Sequence, residues 1–506
     1  MSSYLSMVLL LFVLLIPFTF LLLMNQRKQH DQVKRLPPGP RRLPLIGNLH
    51  HLSSGDLPHC VLEHLSSQYG PLMFLQLGSR STLVVSSAEL AREVLKTHDL
   101  IFSGRPPLYA AKKLSYECVN LSFAPYGEYW REVRKIVMLE LLGPKRVQMF
   151  RSVRDEEVGV MIDSIARNSN SLINLSEVAL YLANNVLCRS AFGKKYDGAA
   201  GDISKSRIHE LLEETRILLG GIIVSDYLPW MGWLNKFSGL EQRADKCFKG
   251  LDSFYDKVIE EHRDPERLKP EHEDLVDVLL RVQQDPNQAI ALTNDQMKGV
   301  ITDMFIGGSD TTSSTLVWTM AELIRNPAVL RKAQHEVREL INNKGKVEEN
   351  DLSQLMYLKS VIKEGLRLHP PVPLLIPRQT TESSTIEGYH IPSNTMVFIH
   401  AKMIGRDPKC WENPNEFFPE RFLDSSIDYK GKHFELLPFG AGRRGCPGMN
   451  FGMQVVELAL ANLLYHFDWE LPDGVRREDL DMKEAVGLTV QKKVRLCLAA
   501  TPVHAF

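Results

Sequence analysis

The sequence carries almost no net charge, with 60 Lys and Arg against 61 Asp and Glu in 506 residues. A chain so balanced lacks the basic footprint of a nucleic-acid binder, and no nucleic acid is expected as a partner. Cysteine is sparse: the seven residues are odd in number and lack framework spacing, which argues against a disulfide scaffold and agrees with a reducing compartment. Beyond residue 40 there are no Gly/Ser or Pro-rich linkers, internal repeats or low-complexity tracts. The length alone suggests about three domains, but with nothing to divide it the segment 41–506 reads as one large domain able to bury a sizeable core.

Charge disappears altogether from Tyr4 to Met24, a run dominated by Leu, Val, Ile and Phe. At ~1.5 Å per residue it is long enough to cross a hydrocarbon core of ~30 Å. No positive charge precedes it and no small-residue cleavage site follows, so it does not read as a secretory signal. Residues 1–26 are therefore predicted to form an uncleaved anchor in a lipid bilayer, where Pro17 is tolerable. Residues 27–40 follow as a basic, proline-rich hinge, with Arg27, Lys28, Lys34 and Arg35 ahead of Leu36-Pro37-Pro38-Gly39-Pro40. Positive charge on that side keeps the large domain cytosolic, and the sequons at Asn120 and Asn174 would stay unmodified.

The large domain reads as mainly α with small β-sheets. A hairpin is predicted from Leu72–Leu77 and Thr82–Val85 around Gly78-Ser79-Arg80, followed by a Ser86-x-x-Glu89 capping box. A second is predicted from 385–391 and 395–399, turned by Pro392-Ser393-Asn394, and a third β element over 488–498. A helix over Asn294–Arg325 enters through Thr293-x-x-Gln296 and stops at Asn326-Pro327. Its ~48 Å would traverse the domain, yet its middle is Gly307-Gly308-Ser309-Asp310-Thr311-Thr312, poor helix formers in a buried position. Small residues there let a ligand approach the backbone, and Thr hydroxyls divert helix carbonyls.

Cys446 is the most informative residue. It lies in the run Pro438-Phe439-Gly440-Ala441-Gly442-Arg443-Arg444-Gly445-Cys446-Pro447-Gly448, whose four glycines free the backbone to turn sharply. The run opens an apolar helical stretch, Met449–Phe467. A sulfur at that N-terminus meets unpaired N–H groups that favour thiolate, which makes Cys446 a candidate metal ligand. Gly440-x-Gly442-x-x-Gly445 also fits a dinucleotide fingerprint, but Pro438 interrupts the strand such a motif needs. Only about 40 residues follow the helix, too few for the remaining βαβ units. A buried structural cysteine is the other reading, and three further motifs weigh against it.

Phe439, Gly442, Arg444, Cys446 and Gly448 match the haem-ligand signature of the cytochrome P450 superfamily, which the chain resembles along its whole length. The resemblance implies the P450 fold preceded by one N-terminal transmembrane helix. It makes Cys446 the ligand to the iron of haem b and places Phe439 and Gly448 beside that group. Gly308, Asp310 and Thr311 match the oxygen-binding groove, with Asp310 and Thr311 relaying protons to dioxygen. Gly307 stands where Ala is usual and Ser309 where Thr is common. Lys363-Glu364-Gly365-Leu366-Arg367 matches the E-x-x-R helix, and Arg421 in Phe418-Pro419-Glu420-Arg421-Phe422 would complete a buried Glu364–Arg367–Arg421 network. Trp130 and Arg134 match a W-x-x-x-R helix on a haem propionate, a role that Arg444 and Arg378 would share.

By the same resemblance the chain looks like the plant A-type microsomal monooxygenases of specialised metabolism. That implies insertion of one oxygen atom from O2 into a hydrophobic small molecule: a terpenoid, a phenylpropanoid or an amino-acid-derived oxime. The implied location is the endoplasmic reticulum membrane. The chain has no nicotinamide or flavin domain, so NADPH, FAD and FMN would act only through a partner, NADPH–cytochrome P450 reductase. Arg443, Lys430, Lys432, Arg131 and Lys135 are candidates for its docking surface. Val119, Leu121, Leu219, Met304, Gly308, Val372, Leu374 and Leu488 are the candidate pocket residues, within an apolar set suited to an apolar substrate. The stretch 222–237, with Tyr227, Trp230 and Trp233, is a candidate for the membrane interface or for the core. A reductase-independent haem-thiolate isomerase or dehydratase, and a haem sensor without turnover, are the alternatives. Asp310 and Thr311 argue against both.

Overall fold

The computed structural model describes residues 35–53, 55–196, 207–268 and 272–503. The anchor expected at 1–26 lies outside these residues, and among those described no helix is long and apolar enough to cross a membrane.

The body is helical and is organised around the Asn294–Arg325 helix, 32 residues long. Its start and stop are the expected ones. Thr293 Oγ1 accepts from Gln296 N while the Gln296 side chain accepts from Thr293 N, and the helix ends at Asn326 before a helix that begins with Pro327. Two other helices, Leu175–Phe192 and Met449–His466, pack along it. The latter is almost wholly buried from Val455 to His466, which is why its sequence is apolar on every face. Gly365 lies inside the Met356–Leu368 helix, where a glycine costs stability. A Cβ there would stand 2.5 Å from Thr319 Oγ1, so the glycine is what lets this helix lie against the central one.

Three small sheets complete the fold among the described residues. Strands β1 (Leu72–Leu77) and β2 (Arg80–Val85) form the expected hairpin. The helix that follows is capped by Ser87, whose Oγ accepts from Leu90 N, not by Ser86, whose hydroxyl donates to Pro71 O instead. Strand β3 (Ile173–Asn174) and the short β4 (Arg378–Gln379) come next. The second predicted hairpin is redrawn: β5 (Ser384–Ile386) and β6 (Tyr389–Ile391) pair with each other across Glu387 and Gly388, both at positive φ. Strand β7 (Met396–Ile399) instead joins β2 in parallel, Thr82 opposite Met396, and closes the order β1-β2-β7-β4.

The third β element is shorter and later than 488–498. Strand β9 (Cys497–Pro502) lies between β3 and β8 (Phe467–Glu470). Residues 488–490 are spoken for elsewhere. Leu488 N donates to Arg216 O and Val490 N to Pro371 O, while Val490 O accepts from Ser314 Oγ and Trp318 Nε1. A backbone already paired to other segments has nothing left for a ladder.

Candidate active site

The loop before Met449 is folded by its own glycines. Gly440 and Gly442 have φ of 64° and 69°, and a Cβ on Gly442 would sit 2.3 Å from Leu95 O. Cys446 N then donates to Phe439 O at 2.9 Å, closing the loop. Cys446 is exposed toward open space and yet enclosed by protein, and burial pushes its thiol pKa up. The N–H groups of Gly448 and Met449 and the guanidinium of Arg134 pull the other way, which is the help for a thiolate expected at a helix N-terminus.

Around this loop stands a cluster of cations. Arg134 donates to Gly445 O at 2.9 Å, and Arg444 donates to Ser103 O (2.9 Å), Leu121 O (3.3 Å) and Ala124 O (2.7 Å). The Arg444 guanidinium lies 4.3 Å over the ring of Trp130, whose Nε1 donates to Leu121 O. Arg378 pairs with Asp99 at 2.9 Å and donates to Ala441 O. Sequence reasoning missed a fourth member, Arg105, which donates to Ser122, Ile376 and Pro377 carbonyls. Burial and the neighbouring guanidiniums of Arg378 and Arg134 push Arg444 down to about 9. Arg105 is lowered for the same reasons, burial first and then Arg444 and Arg378. The cluster holds more positive charge than Asp99 offsets, and two carboxylates would relieve it.

The central helix contributes its weak stretch, 307–312. Gly307 is exposed although the helix is buried on either side, and a Cβ on it would meet nothing within 4 Å. Gly452, in the helix that follows Cys446, comes against Thr312, so the two elements share one neighbourhood. Thr311 Oγ1 donates to Gly307 O at 2.7 Å. Asp310 is buried, and burial pushes its carboxyl up to about 7 against the pull of Arg216, 3.9 Å away. Arg216 comes from the Arg207–Gly220 helix and also holds Val486 O. No motif marks it. Because Gly307 faces open space, Gly307→Ala is expected to be accommodated and to raise helix stability by about 1 kcal/mol, measured by urea unfolding; clear destabilisation would mean that the space is not there.

A cavity of about 110 Å³ opens between the end of the Arg207–Gly220 helix and residues 485–490, the segment whose Val486 O Arg216 holds; no residue of the central helix is on its wall. Of the candidate pocket residues it brings together Leu219, Val372, Leu374 and Leu488; Val119, Leu121, Met304 and Gly308 are not on its wall. Met304 lines a smaller hollow with Leu187 and Phe451. The sequence reading had not named individually Phe123, Phe398 and the buried Asp226, whose carboxyl burial pushes up to about 6 while it accepts from Tyr109 N. At the cavity's edge Tyr227 is buried, whereas Trp230, Trp233 and Phe237 are 63, 57 and 82% exposed.

Glu364, Arg367 and Arg421 come together in a network. Arg367 grips both Glu364 oxygens at 2.7 Å and Arg421 Nε reaches Oε1 at 3.1 Å. Glu364 is fully buried. Arg131, Lys135, Lys430, Lys432 and Arg443 are exposed.

Comparison with known proteins agrees with this geometry. The family model described as cytochrome P450 matches residues 37–498. The chain is 60% identical over 489 residues to cytochrome P450 71A9 of Glycine max, covering 96% of this chain and 97% of that one. It is 57% identical over 485 residues to strychnine-11-hydroxylase of Strychnos nux-vomica, covering 96% and 95%. A zebra fish cytochrome P450 structure with abiraterone superimposes with a TM-score of 0.74 at 27% identity, covering 89% of this chain and all of that one. The chain belongs to the cytochrome P450 family. It is a plant monooxygenase of specialised metabolism, and its prosthetic group is haem b. The residues fit that group: a thiol facing open space, a surplus of guanidinium for two propionates, and a side-chain-free stretch of the central helix, whose Thr312 abuts the helix that follows the sulfur.

Proposed function

We propose that the chain is a haem-thiolate monooxygenase that inserts one oxygen atom from O2 into a hydrophobic plant small molecule of the terpenoid, phenylpropanoid or amino-acid-derived oxime type. The observation that carries this is Cys446, faced by two backbone N–H groups and Arg134 at the mouth of a glycine-built loop. Haem b, when bound, supplies the oxygen activation. Cys446 Sγ is its iron ligand, with Phe439 and Gly448 beside it. Trp130, Arg134, Arg378 and Arg444 hold the propionates. The apolar wall formed by Leu219, Val372, Leu374 and Leu488 selects apolar substrate and excludes water. The relative named strychnine-11-hydroxylase supports hydroxylation as the outcome.

Asp310 and Thr311 handle protons. Thr311 Oγ1, lodged on Gly307 O, and the Asp310 carboxyl lie on successive positions of the helix beside its open side. A carboxyl held near 7 is poised to give up and recover a proton at neutral pH. It is protonated below that value, so product formed per NADPH is expected to fall as pH rises through about 7, and Asp310→Asn to lose most coupling and flatten that limb. An unchanged profile in the variant would assign the protons to another group. The raised pKa also works against stability: the folded state resists ionisation, so this group's contribution declines as pH rises from the ordinary carboxylate range through about 7.

Electrons come from NADPH through the FAD and FMN of a membrane-bound NADPH–cytochrome P450 reductase, docking on Arg131, Lys135, Lys430, Lys432 and Arg443. Residues 1–26 anchor the chain in the endoplasmic reticulum membrane, 27–40 form the hinge, and 41–506 face the cytosol as the catalytic domain. The exposed Trp230, Trp233 and Phe237 support contact with the lipid surface near the cavity. The test is reconstitution with that reductase and a panel of lipophilic plant compounds. Substrate-dependent NADPH consumption with oxygenated product supports the reading, and product formed without NADPH points to the isomerase instead.

A further inference from the structure

Residues 119–124 run as an irregular segment between the central helix and the cation cluster, and their backbone is used on both sides. The N–H groups of Leu121 (2.5 Å) and Ser122 (3.2 Å) donate to one oxygen of Asp303, and Asn120 Nδ2 donates to the other at 2.7 Å. The carbonyls point to the cations: Leu121 O accepts from Trp130 and Arg444, Ser122 O from Arg105, and Ala124 O from Arg444. Asn120 Oδ1 also accepts from Phe123 N at 3.0 Å, and Phe123 lines the substrate cavity.

A second observation marks the same helix face. Gly299 lies one turn before Asp303, and a Cβ on it would stand 3.3 Å from the backbone of Asn120. The helix thus offers, at positions four apart, a bare spot for the segment to rest on and an acceptor for its N–H groups. The segment needs holding. Tyr116, Glu117 and Cys118 just ahead of it all have left-handed φ, from 52° to 63°, a conformation that L residues keep only when their surroundings impose it.

We propose that Gly299 and Asp303 form a socket on the central helix that sets the position of the 119–124 segment, making Asp303 a positioning residue for substrate selection and for the cations around the prosthetic group. The segment carries one wall of the cavity at Phe123 and supplies the carbonyls on which Arg105 and Arg444 rest. Asp303 thereby links the substrate side of the site to the propionate side. This rests on the reading of the site given above. The Asp303 carboxyl is held up to about 6 by withdrawal from water, against the pull of the Ser122, Leu121 and Asn120 donors.

The test uses the haem-loaded full chain and its Asp303→Asn variant. Asparagine keeps the shape but turns an NH2 toward groups that are themselves donors. Amide hydrogen exchange in 119–124 is expected to rise about tenfold or more, the effect of losing a hydrogen bond to a charged group, while exchange in 310–325 stays put. By the same loss, spectral titration is expected to show clotrimazole, large enough to reach Phe123, weakened about tenfold, and imidazole unchanged. Unchanged exchange and unchanged clotrimazole affinity would overturn the proposal; so would equal weakening of both azoles, which would mean a general loss of fold. Should Asp303→Asn fail to load haem, Asn120→Ala, which removes one of the three contacts with Asp303 together with the bond from Phe123 N, must show the same pattern, and its absence there also overturns the proposal. Failure of the Cys446 assignment would appear separately, in the ferrous carbonyl spectrum of the unsubstituted protein.

Discussion

Cys446→Ser is expected to reduce monooxygenase turnover to background and to remove the red-shifted Soret band of the ferrous carbonyl complex. The two sulfur-directed N–H groups and Arg134 remain in the variant, and so does the loop, because its closing bond runs from the backbone N of residue 446 to Phe439 O. What is lost is a thiol whose deprotonation these groups assist. A hydroxyl has no comparable anionic form near neutral pH, and an oxygen is a far poorer electron donor to iron than a thiolate. Burial disfavours the free thiolate, so the anion is settled by the metal itself, and loading with haem is expected to release a proton. The visible spectrum of the reduced protein under carbon monoxide checks the ligand directly. A spectrum unchanged in the variant would remove Cys446 from the iron.

The ends of the central helix were readable because each depends on neighbours in the chain: Thr293 with Gln296 at one end, Asn326 with Pro327 at the other. The Cys446 loop was readable for the same reason. The parallel pairing of β2 with β7 joins Thr82 to Met396, and nothing local to either strand announces it. Pro392-Ser393-Asn394 looked like the hairpin turn, yet Glu387-Gly388 makes the tight one: both of its residues take positive φ, whereas of 392–394 Asn394 alone does. Choosing Ser87 over Ser86 as a cap is a matter of one residue and of where Pro71 lies. Arg105, Arg216 and Asp303 escaped notice because their partners are carbonyls, N–H groups and one carboxylate from remote segments. A lone charged residue in sequence does not say whether it meets water or a folded backbone.

Glu364→Ala is expected to lower folding stability by about 3–5 kcal/mol, the cost of leaving a buried guanidinium without its counter-charge. Both Glu364 oxygens are used by Arg367, and Oε1 also receives Arg421 Nε and Phe418 N. Arg367 spends its other donors on the carbonyls of Gly405, Pro414 and Glu416, so the pair pins 405–418 to the Met356–Leu368 helix. Trp411 closes the site, within cation–π reach of both arginines, and keeps water from softening the loss. Against a total stability of about 5–15 kcal/mol typical of a folded domain, such a change leaves little margin. Because 405–422 leads into the chain that carries Cys446, loss of haem is expected to accompany it. Urea unfolding followed by both tryptophan fluorescence and Soret absorbance checks this: the two midpoints should fall together. Glu364→Gln keeps one acceptor and should fall between, because its amide nitrogen must then face Arg367 donors. If Glu364→Ala unfolds at the midpoint of the unsubstituted protein, water or a rearranged carbonyl has replaced the carboxylate, and the network is not what holds this segment in place.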